Sequence, residues 1–258
     1  MRFGKSLRLL SINRTPLVAF LGVGMNPSKE HVAKADAVRR GLAIKRTGLI
    51  PRYPADKVCP PLTSFYASWD DVDGSRRRER HSGVDGGRLG DEILSPGPGT
   101  IVAAWRANWG EGEEGAILIR HTREDLGLRD GPHFYYSEFD HVRYQDISRF
   151  TEGTRIERGE TIARVSRPGG SSRYLPEVHW EVWQAEQDNA IRWSKNEFGG
   201  RFWTIRSAQL IDPLYMLSLD TPPSDDGSVD IPVFDPYANY DSFRGFTYIF
   251  PCRPKNAR

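Results

Sequence analysis

Apolar and polar residues alternate along the stretch LPEVHWEVW, residues 175–183. Successive side chains of a β-strand point to opposite faces, so this alternation predicts a strand with two different faces. The core face would carry the apolar side chains of Val178, Trp180 and Val182. The other face would carry His179 between Glu177 and Glu181, either as a solvated edge or as one wall of a metal site.

Short runs rich in β-branched and aromatic residues recur through the middle of the chain, and turn sequences such as SPGPGT (95–100) and RPGGSS (167–172) separate them. This spacing favours an antiparallel β-sheet protein over alternating strands and helices. The runs predict strands at 100–105, 116–121, 134–139, 161–166 and 178–183, with a last strand at FTYIF, 246–250.

The same patterning predicts a central domain flanked by irregular segments. Residues 38–75 are proline-bearing and irregular, and we expect them to form an N-terminal extension. The domain would span 76–220, with an insertion at 185–210 packed on the sheet. A proline- and aspartate-rich tail at 221–258 would pack on the domain.

Charge is unevenly distributed along the 258 residues, although the net charge is only +2. The first 60 residues hold 12 basic and 3 acidic residues, a net charge of +9, which leaves −7 for the rest. A basic leader before an acidic body indicates two segments with different roles. No basic patch is interleaved with aromatic residues, so nucleic acid is not an expected partner.

The N-terminus resembles an export signal, with basic residues before the apolar run PLVAFLGVGM at 16–25. Residues 1–37 would then be a leader, and the mature protein would be periplasmic or extracellular. The alternative is a buried N-terminal strand. The apolar run is too short and glycine-containing for a stable membrane span. In an exported protein Cys59 and Cys252 could form a disulfide, although two unpaired thiols remain the other interpretation.

Candidate metal chemistry centres on HSGVDGG, residues 81–87, where His81 and Asp85 lie four positions apart across glycine. A compact bend could bring both side chains to one point. Hydrolytic zinc sites take three ligands from His, Asp and Glu and leave a fourth position open. With the distant His179, these two residues would complete such a set.

Seven segments fall in the order found in a known family: RHSGVDGG, SPGPGTIVAAW, AILIRH, YSEF, IERGETIARV, VHWEV and IDPLYML. Over residues 80–184 the chain resembles the lysostaphin-type (LytM) zinc endopeptidases of bacterial cell walls. The resemblance implies a mainly β fold, an antiparallel sheet domain of lysostaphin/LytM type (duplicated hybrid motif) with irregular N- and C-terminal extensions. It also implies Zn²⁺ on His81, Asp85 and His179, and a peptidoglycan peptide or glycan as the partner.

Two positions depart from the family pattern. The family carries catalytic histidines in its Y-x-H and H-x-H motifs, where this chain has Glu138 and Glu177. One glutamate could act as a base and the other, kept protonated by its acidic neighbour, as a neutral acid. These two residues are therefore the expected catalytic pair. Glu181 matches an ordinary glutamate of the motif, and no special role is expected for it.

Three functions stay open at this level. The chain is an active zinc endopeptidase, a catalytically inactive metal-binding module that binds cell wall or regulates another hydrolase, or a hydrolase whose acids hold a second cation or a cationic substrate group. A protein partner is an expectation for the inactive module alone. His121 is expected to be structural, whereas His133 or His141 could replace the missing catalytic imidazole, although His141 is out of phase with Glu138 on a regular strand.

Overall fold

The computed structural model describes residues 46–70, 76–107, 114–166, 175–188, 191–195, 201–205 and 208–255. The predicted leader, residues 1–37, lies outside this part of the chain. Sixteen strands are described: β1 Ile50–Arg52, β2 Lys57–Val58, β3 Tyr66–Asp70, β4 Arg76–Gly86, β5 Glu92–Leu94, β6 Gly99–Arg106, β7 Glu114–Thr122, β8 Phe134–Arg143, β9 Arg155–Ile156, β10 Thr161–Arg164, β11 Val178–Ala185, β12 Ile191–Lys195, β13 Arg201–Ile205, β14 Gln209–Ile211, β15 Ser228–Asp230 and β16 Arg253–Pro254. Two short helices are described, α1 Tyr144–Ile147 and α2 Pro213–Leu217.

One eight-stranded sheet organises the fold, in the order β3-β4-β11-β8-β7-β6-β9, with β14 paired to β11 beside β4. Every pairing within this sheet is antiparallel. The predicted antiparallel β class is therefore confirmed. Each predicted strand between 100 and 183 coincides with a strand of the structure, although β10 pairs with β5 outside the main sheet.

The strand β11 shows the predicted alternation. Val178, Trp180 and Val182 are fully buried in the main hydrophobic core, together with Phe139 of the neighbouring β8. The ring of Trp180 stacks on that of Phe139 with centroids 5.8 Å apart. His179 and Glu181 consequently project from the opposite face of the sheet.

The C-terminal segment closes the core side of the sheet. FTYIF, residues 246–250, was predicted to be a strand, and this prediction is wrong, because the segment has no strand pairing. It is instead buried, and Phe246 packs against Trp180 with ring centroids 6.0 Å apart. Aromatic and apolar side chains fill the core from an irregular backbone, so apolar composition alone did not distinguish this segment from a strand.

A disulfide joins Cys59 to Cys252 across 193 residues of sequence. It lies at the pairing of β2 with β16, where the segment before the domain meets the C-terminal tail. The region expected to be an irregular extension thus supplies strands, and one of them, β3, joins the main sheet beside β4.

The predicted insertion at 185–210 contains a hairpin, β12–β13, whose strands pair with each other. Its tryptophans pack on the face opposite the main core and form a second hydrophobic cluster. Trp203 lies against Tyr136 of β8, and Trp193 lies edge-on to Trp105 of β6. The hairpin therefore covers part of the face from which His179 and Glu181 project.

In the described part of the chain, neither helix has the length and apolar character that crossing a bilayer would require.

Candidate metal centre

Two of the candidate ligands lie on the single strand β4, which continues through the segment expected to bend. His81, Gly83 and Asp85 alternate onto one face of β4. Gly83 leaves the space between the two ligands open. A Cβ at this position would lie 3.0 Å from Cε1 of His179 and 2.4 Å from the carbonyl oxygen of Trp180. The glycine thus lets the imidazole of His179 lie over β4 between the other two ligands.

The structure brings His81, Asp85 and His179 together. Asp85 pairs directly with His179 in the β4–β11 ladder. Its Oδ1 lies 2.8 Å from Nδ1 of His179, and its Oδ2 lies 2.9 Å from Nε2 of His81. One ligand atom from each residue lies within 4.8 Å of the other two, so the group could hold a metal ion. Two imidazoles and one carboxylate are a donor set that suits zinc.

The electrostatics of the three residues favour an ionised carboxylate at the centre. Burial alone would raise the pKa of Asp85, but hydrogen bonds from His179 and His81 hold it well below its usual value. Burial disfavours the charged form of His179, yet its bonds to Asp85 and Glu181 raise its pKa well above the ordinary value. The site therefore attracts positive charge, which a divalent cation would supply in place of the imidazole proton.

Glu181 orients His179 from the other side of its ring. Oε1 of Glu181 lies 3.0 Å from Nε2 of His179 and also accepts a hydrogen bond from Ser82. Oε2 accepts from Nε1 of Trp183 at 2.7 Å. When the imidazole is neutral, this carboxylate keeps the proton on Nε2 and leaves the lone pair of Nδ1 pointing towards Asp85 and His81. This is a positioning role for Glu181 that sequence reasoning missed.

Glu138 lies directly opposite Glu181 in the β8–β11 ladder. It is buried, and its Oε2 accepts a hydrogen bond from Nε1 of Trp203 at 2.6 Å. Burial, followed by the charges of Asp140 and Glu181, raises the pKa of Glu138 well above its usual value. Its protonated, neutral form is therefore favoured. The hairpin covers the side chain, which does not lie in an open groove.

Glu177, the other predicted catalytic residue, lies just before β11 and is half-buried. Its backbone forms a bridge with Ser166. It precedes His179 by two positions and so projects from the same face. Glu177 therefore shares the sheet face of the metal centre, whereas Glu138 lies beneath the hairpin.

Asp140 is a further acid at the centre, and sequence reasoning did not single it out. It pairs with His179 in the β8–β11 ladder and is 8% exposed. Burial raises its pKa to about 6. No local motif marked this residue, because only the register between β8 and β11 brings it opposite a ligand.

His121 and Tyr136 have other surroundings. His121 is buried between the carbonyl oxygen of Pro98 and the hydroxyl of Ser137, at 2.7 and 3.1 Å, and burial lowers its pKa to about 4. It is a structural histidine. Tyr136 is fully buried under the hairpin, and its hydroxyl donates to Asp188 at 3.0 Å, so it does not line an open wall.

No protein-family model matches the chain, and no curated protein sequence matches it. The catalytic domain of the antimicrobial peptidase lysostaphin from Staphylococcus simulans shares 18% identity, with 50% of this chain and 84% of that chain covered at a TM-score of 0.34. The chain is similar to lysostaphin-type peptidases. A zinc-containing peptidase from Vibrio cholerae shares 23% identity, with 54% and 37% covered at a TM-score of 0.35.

A third similar structure is the catalytic domain of the prophage-encoded M23 protein EnpA from Enterococcus faecalis, with 20% identity and a TM-score of 0.32. The aligned region covers 53% of this chain and 87% of the EnpA chain. Each of these three structures aligns with about half of this chain.

Proposed function

We propose that the protein is a zinc-dependent endopeptidase that cleaves peptide cross-links of bacterial peptidoglycan, in the periplasm or outside the cell. The observation that supports this most strongly is the convergence of His81, Asp85 and His179 on one point, with a fixed orientation for His179. The substrate class comes from the resemblance of the sequence motifs to the cell-wall peptidases.

His81, Asp85 and His179 would hold the zinc ion, the two imidazoles in their neutral forms. When bound, zinc acts as a Lewis acid that polarises the scissile carbonyl and makes water a stronger nucleophile. Glu177 shares the sheet face of the centre and is half-buried, and we assign its carboxylate as the base that would accept the proton that water loses on attack. Glu138 would be the neutral partner, because burial favours its protonated form and a protonated carboxyl group can donate a hydrogen bond.

One observation favours a second candidate, the catalytically inactive metal-binding module. The indole of Trp203 covers Glu138, and both side chains are buried. A substrate would have to displace the hairpin to reach this carboxyl group. If the hairpin stays in place, the protein would hold zinc and bind cell wall or a partner protein without cleaving peptides.

Digestion of purified sacculi separates the two candidates. The zinc-loaded protein and four variants would be incubated with sacculi, and soluble products would be measured by chromatography. Wild type and Glu186→Gln, a control at an exposed acid after β11, should release peptide products. His179→Ala should release none, and Glu177→Gln should be slower by about 10²–10⁴-fold, the usual contribution of a general base. Glu138→Gln should also be slower if its proton takes part.

Metal analysis of the same samples completes the test. Wild-type protein that holds one zinc ion but releases no products from any sacculi would contradict the peptidase and support the binding module. Products released equally by wild type and His179→Ala would contradict the proposed metal centre.

A further inference from the structure

His141 lies at a β-bulge near the metal centre. Phe139 pairs with Ile117 and Val142 pairs with Gly115, so two residues of β8 oppose one of β7. His141 has φ of 58°, the one positive φ of a residue other than glycine in the described chain. Bulges re-aim side chains, and backbone strain of this kind concentrates at functional positions.

The bulge changes the face to which His141 projects. On a regular strand His141 would lie on the same face as Phe139, in the main core. Instead, its Nδ1 lies 2.9 Å from Oε2 of Glu114. Glu114 alternates with Ala116 and Leu118, which belong to the cluster under the hairpin. The imidazole therefore projects from the face that carries Asp140 and His179.

Glu114 gives this imidazole a defined orientation. The carboxylate is 1% exposed, and its other oxygen, Oε1, is buried with no hydrogen-bond partner among the described residues. The His141 side chain keeps 18% of its surface exposed. A buried carboxylate on Nδ1 fixes the tautomer and direction of an imidazole and stabilises its charged form, as in hydrolase triads.

Three acids surround the imidazole from three elements: Glu114 of β7, Asp140 of β8 and Glu177 before β11. Burial disfavours the charge on His141, but Glu114, Asp140 and Glu177 together raise its pKa above the ordinary value. The charged form of the imidazole is therefore favoured beside Glu177.

We propose that His141 is a catalytic residue of the proposed peptidase, held through Nδ1 by Glu114 and donating a hydrogen bond from Nε2 to the carbonyl oxygen of the scissile peptide. This inference rests on the proposed function. As water attacks, negative charge develops on that oxygen, and a cationic donor stabilises it. His141 ends the step with the proton it began with, so water supplies both the hydroxyl group on the carbonyl carbon and the proton of the departing amine.

A spectroscopic experiment tests the placement without using activity. Imidazole resonances of the full chain would be recorded by NMR with zinc and then with paramagnetic cobalt(II) at the metal centre. Resonances of His141 should shift or broaden with cobalt. Those of His133 should change much less, because this residue precedes β8 and lies eight residues from His141, roughly 25 Å along an extended chain. An unchanged His141 would overturn the inference.

A kinetic experiment tests the role. His141→Asn is the informative variant, because asparagine tolerates positive φ better than most residues. It should keep its zinc but melt at a lower temperature, because the buried Glu114 carboxylate loses its charged partner. Its kcat on sacculi or a cross-link peptide should fall about 10²–10³-fold, with little change in KM. The matched control, His133→Gln, should behave as wild type.

Glu114→Gln, a change in the positioning residue, should shift the alkaline limb of the pH–rate profile to lower pH. The charged imidazole then loses one anionic neighbour and keeps Asp140 and Glu177. Full activity of zinc-loaded His141→Asn would overturn the inference and leave the proposed function standing. A zinc-loaded wild type without activity would overturn both.

Discussion

Glu181 holds Nε2 of His179 at 3.0 Å, while Asp85 contacts Nδ1 of the same ring at 2.8 Å. The imidazole is thus fixed between two carboxylates, and only one of them belongs to the candidate ligand set. A ligand imidazole held in this way needs little reorganisation when a metal ion binds, which favours binding.

Glu181→Gln should lower the affinity for zinc by about 10–100-fold, the usual effect of removing such an outer carboxylate. The neutral amide is a weaker acceptor for Nε2–H. Only its oxygen can accept, so it cannot keep the bonds from Ser82 and Trp183, which reach different oxygens of Glu181. Competition with a chelating dye measures the affinity, and Glu186→Gln is the control. Equal affinities for wild type and Glu181→Gln would contradict the positioning role.

Gly83→Ala should damage the same site by steric contact. The added Cβ would lie 2.4 Å from the Trp180 carbonyl oxygen and 3.1 Å from Nε2 of His179. Either β11 or the imidazole must shift, at a cost of about 1–3 kcal/mol. We expect a lower melting temperature and weaker zinc binding, measured by thermal unfolding and dye competition. Gly153→Ala adds a Cβ with no atom within 4 Å, although at positive φ, and should keep zinc affinity while losing some stability.

Glu138→Gln should change how stability depends on pH. Because the folded-state pKa of Glu138 lies above its ordinary value of 4.5, the folded state binds this proton more tightly than the unfolded state. The stabilisation that this proton gives the folded state is complete below about pH 4.5, and it is lost as pH rises towards the folded-state pKa. The glutamine variant keeps the acceptor for Trp203 and has no such loss. The stability of the glutamine variant relative to wild type should therefore increase as pH rises above about 4.5.

Urea unfolding at several pH values measures this difference. Glu186→Gln, at an exposed position, should follow wild type at every pH. A constant difference between Glu138→Gln and wild type from pH 4 to pH 8 would show that the buried carboxyl group is not held in its protonated form.

Removal of the Cys59–Cys252 disulfide should destabilise the protein by up to about 5 kcal/mol, the chain-entropy limit for a loop of this length. Unfolding of wild type with and without reductant, compared with a Cys59→Ser and Cys252→Ser double variant, measures the effect. Reductant should bring wild type down to the stability of the double variant and leave that variant unchanged. A wild type insensitive to reductant would contradict the role of this disulfide.

Much of the sheet and the ligand set could be anticipated from the sequence, because alternation fixes which side chains share a face of β11. Local sequence patterns do not determine the register between neighbouring strands. For that reason Asp140, which only the β8–β11 pairing places opposite His179, was missed. Glu181 did have a signal, its position two residues from His179 on the same face, but the sequence did not show that its carboxylate would bind Nε2.

Two further features depend on tertiary structure. On a regular strand, His141 would be out of phase with Glu138. The bulge instead puts both side chains on the same face of β8, and no glycine or proline in the sequence indicates the bulge. The hairpin was expected to pack on the sheet as an insertion. The sequence did not show that Trp203 would reach Glu138, since this contact joins residues 65 positions apart.

Metal analysis of the purified full-length chain tests the central claim most directly. We expect one zinc ion per chain in wild type and in the control His133→Ala, with two nitrogen ligands and one carboxylate oxygen from the protein at about 2.0–2.2 Å by X-ray absorption. His179→Ala should hold none. A wild-type chain that binds no zinc, or a His179→Ala variant that binds it as well as wild type, would contradict the assignment of His81, Asp85 and His179 as a metal centre.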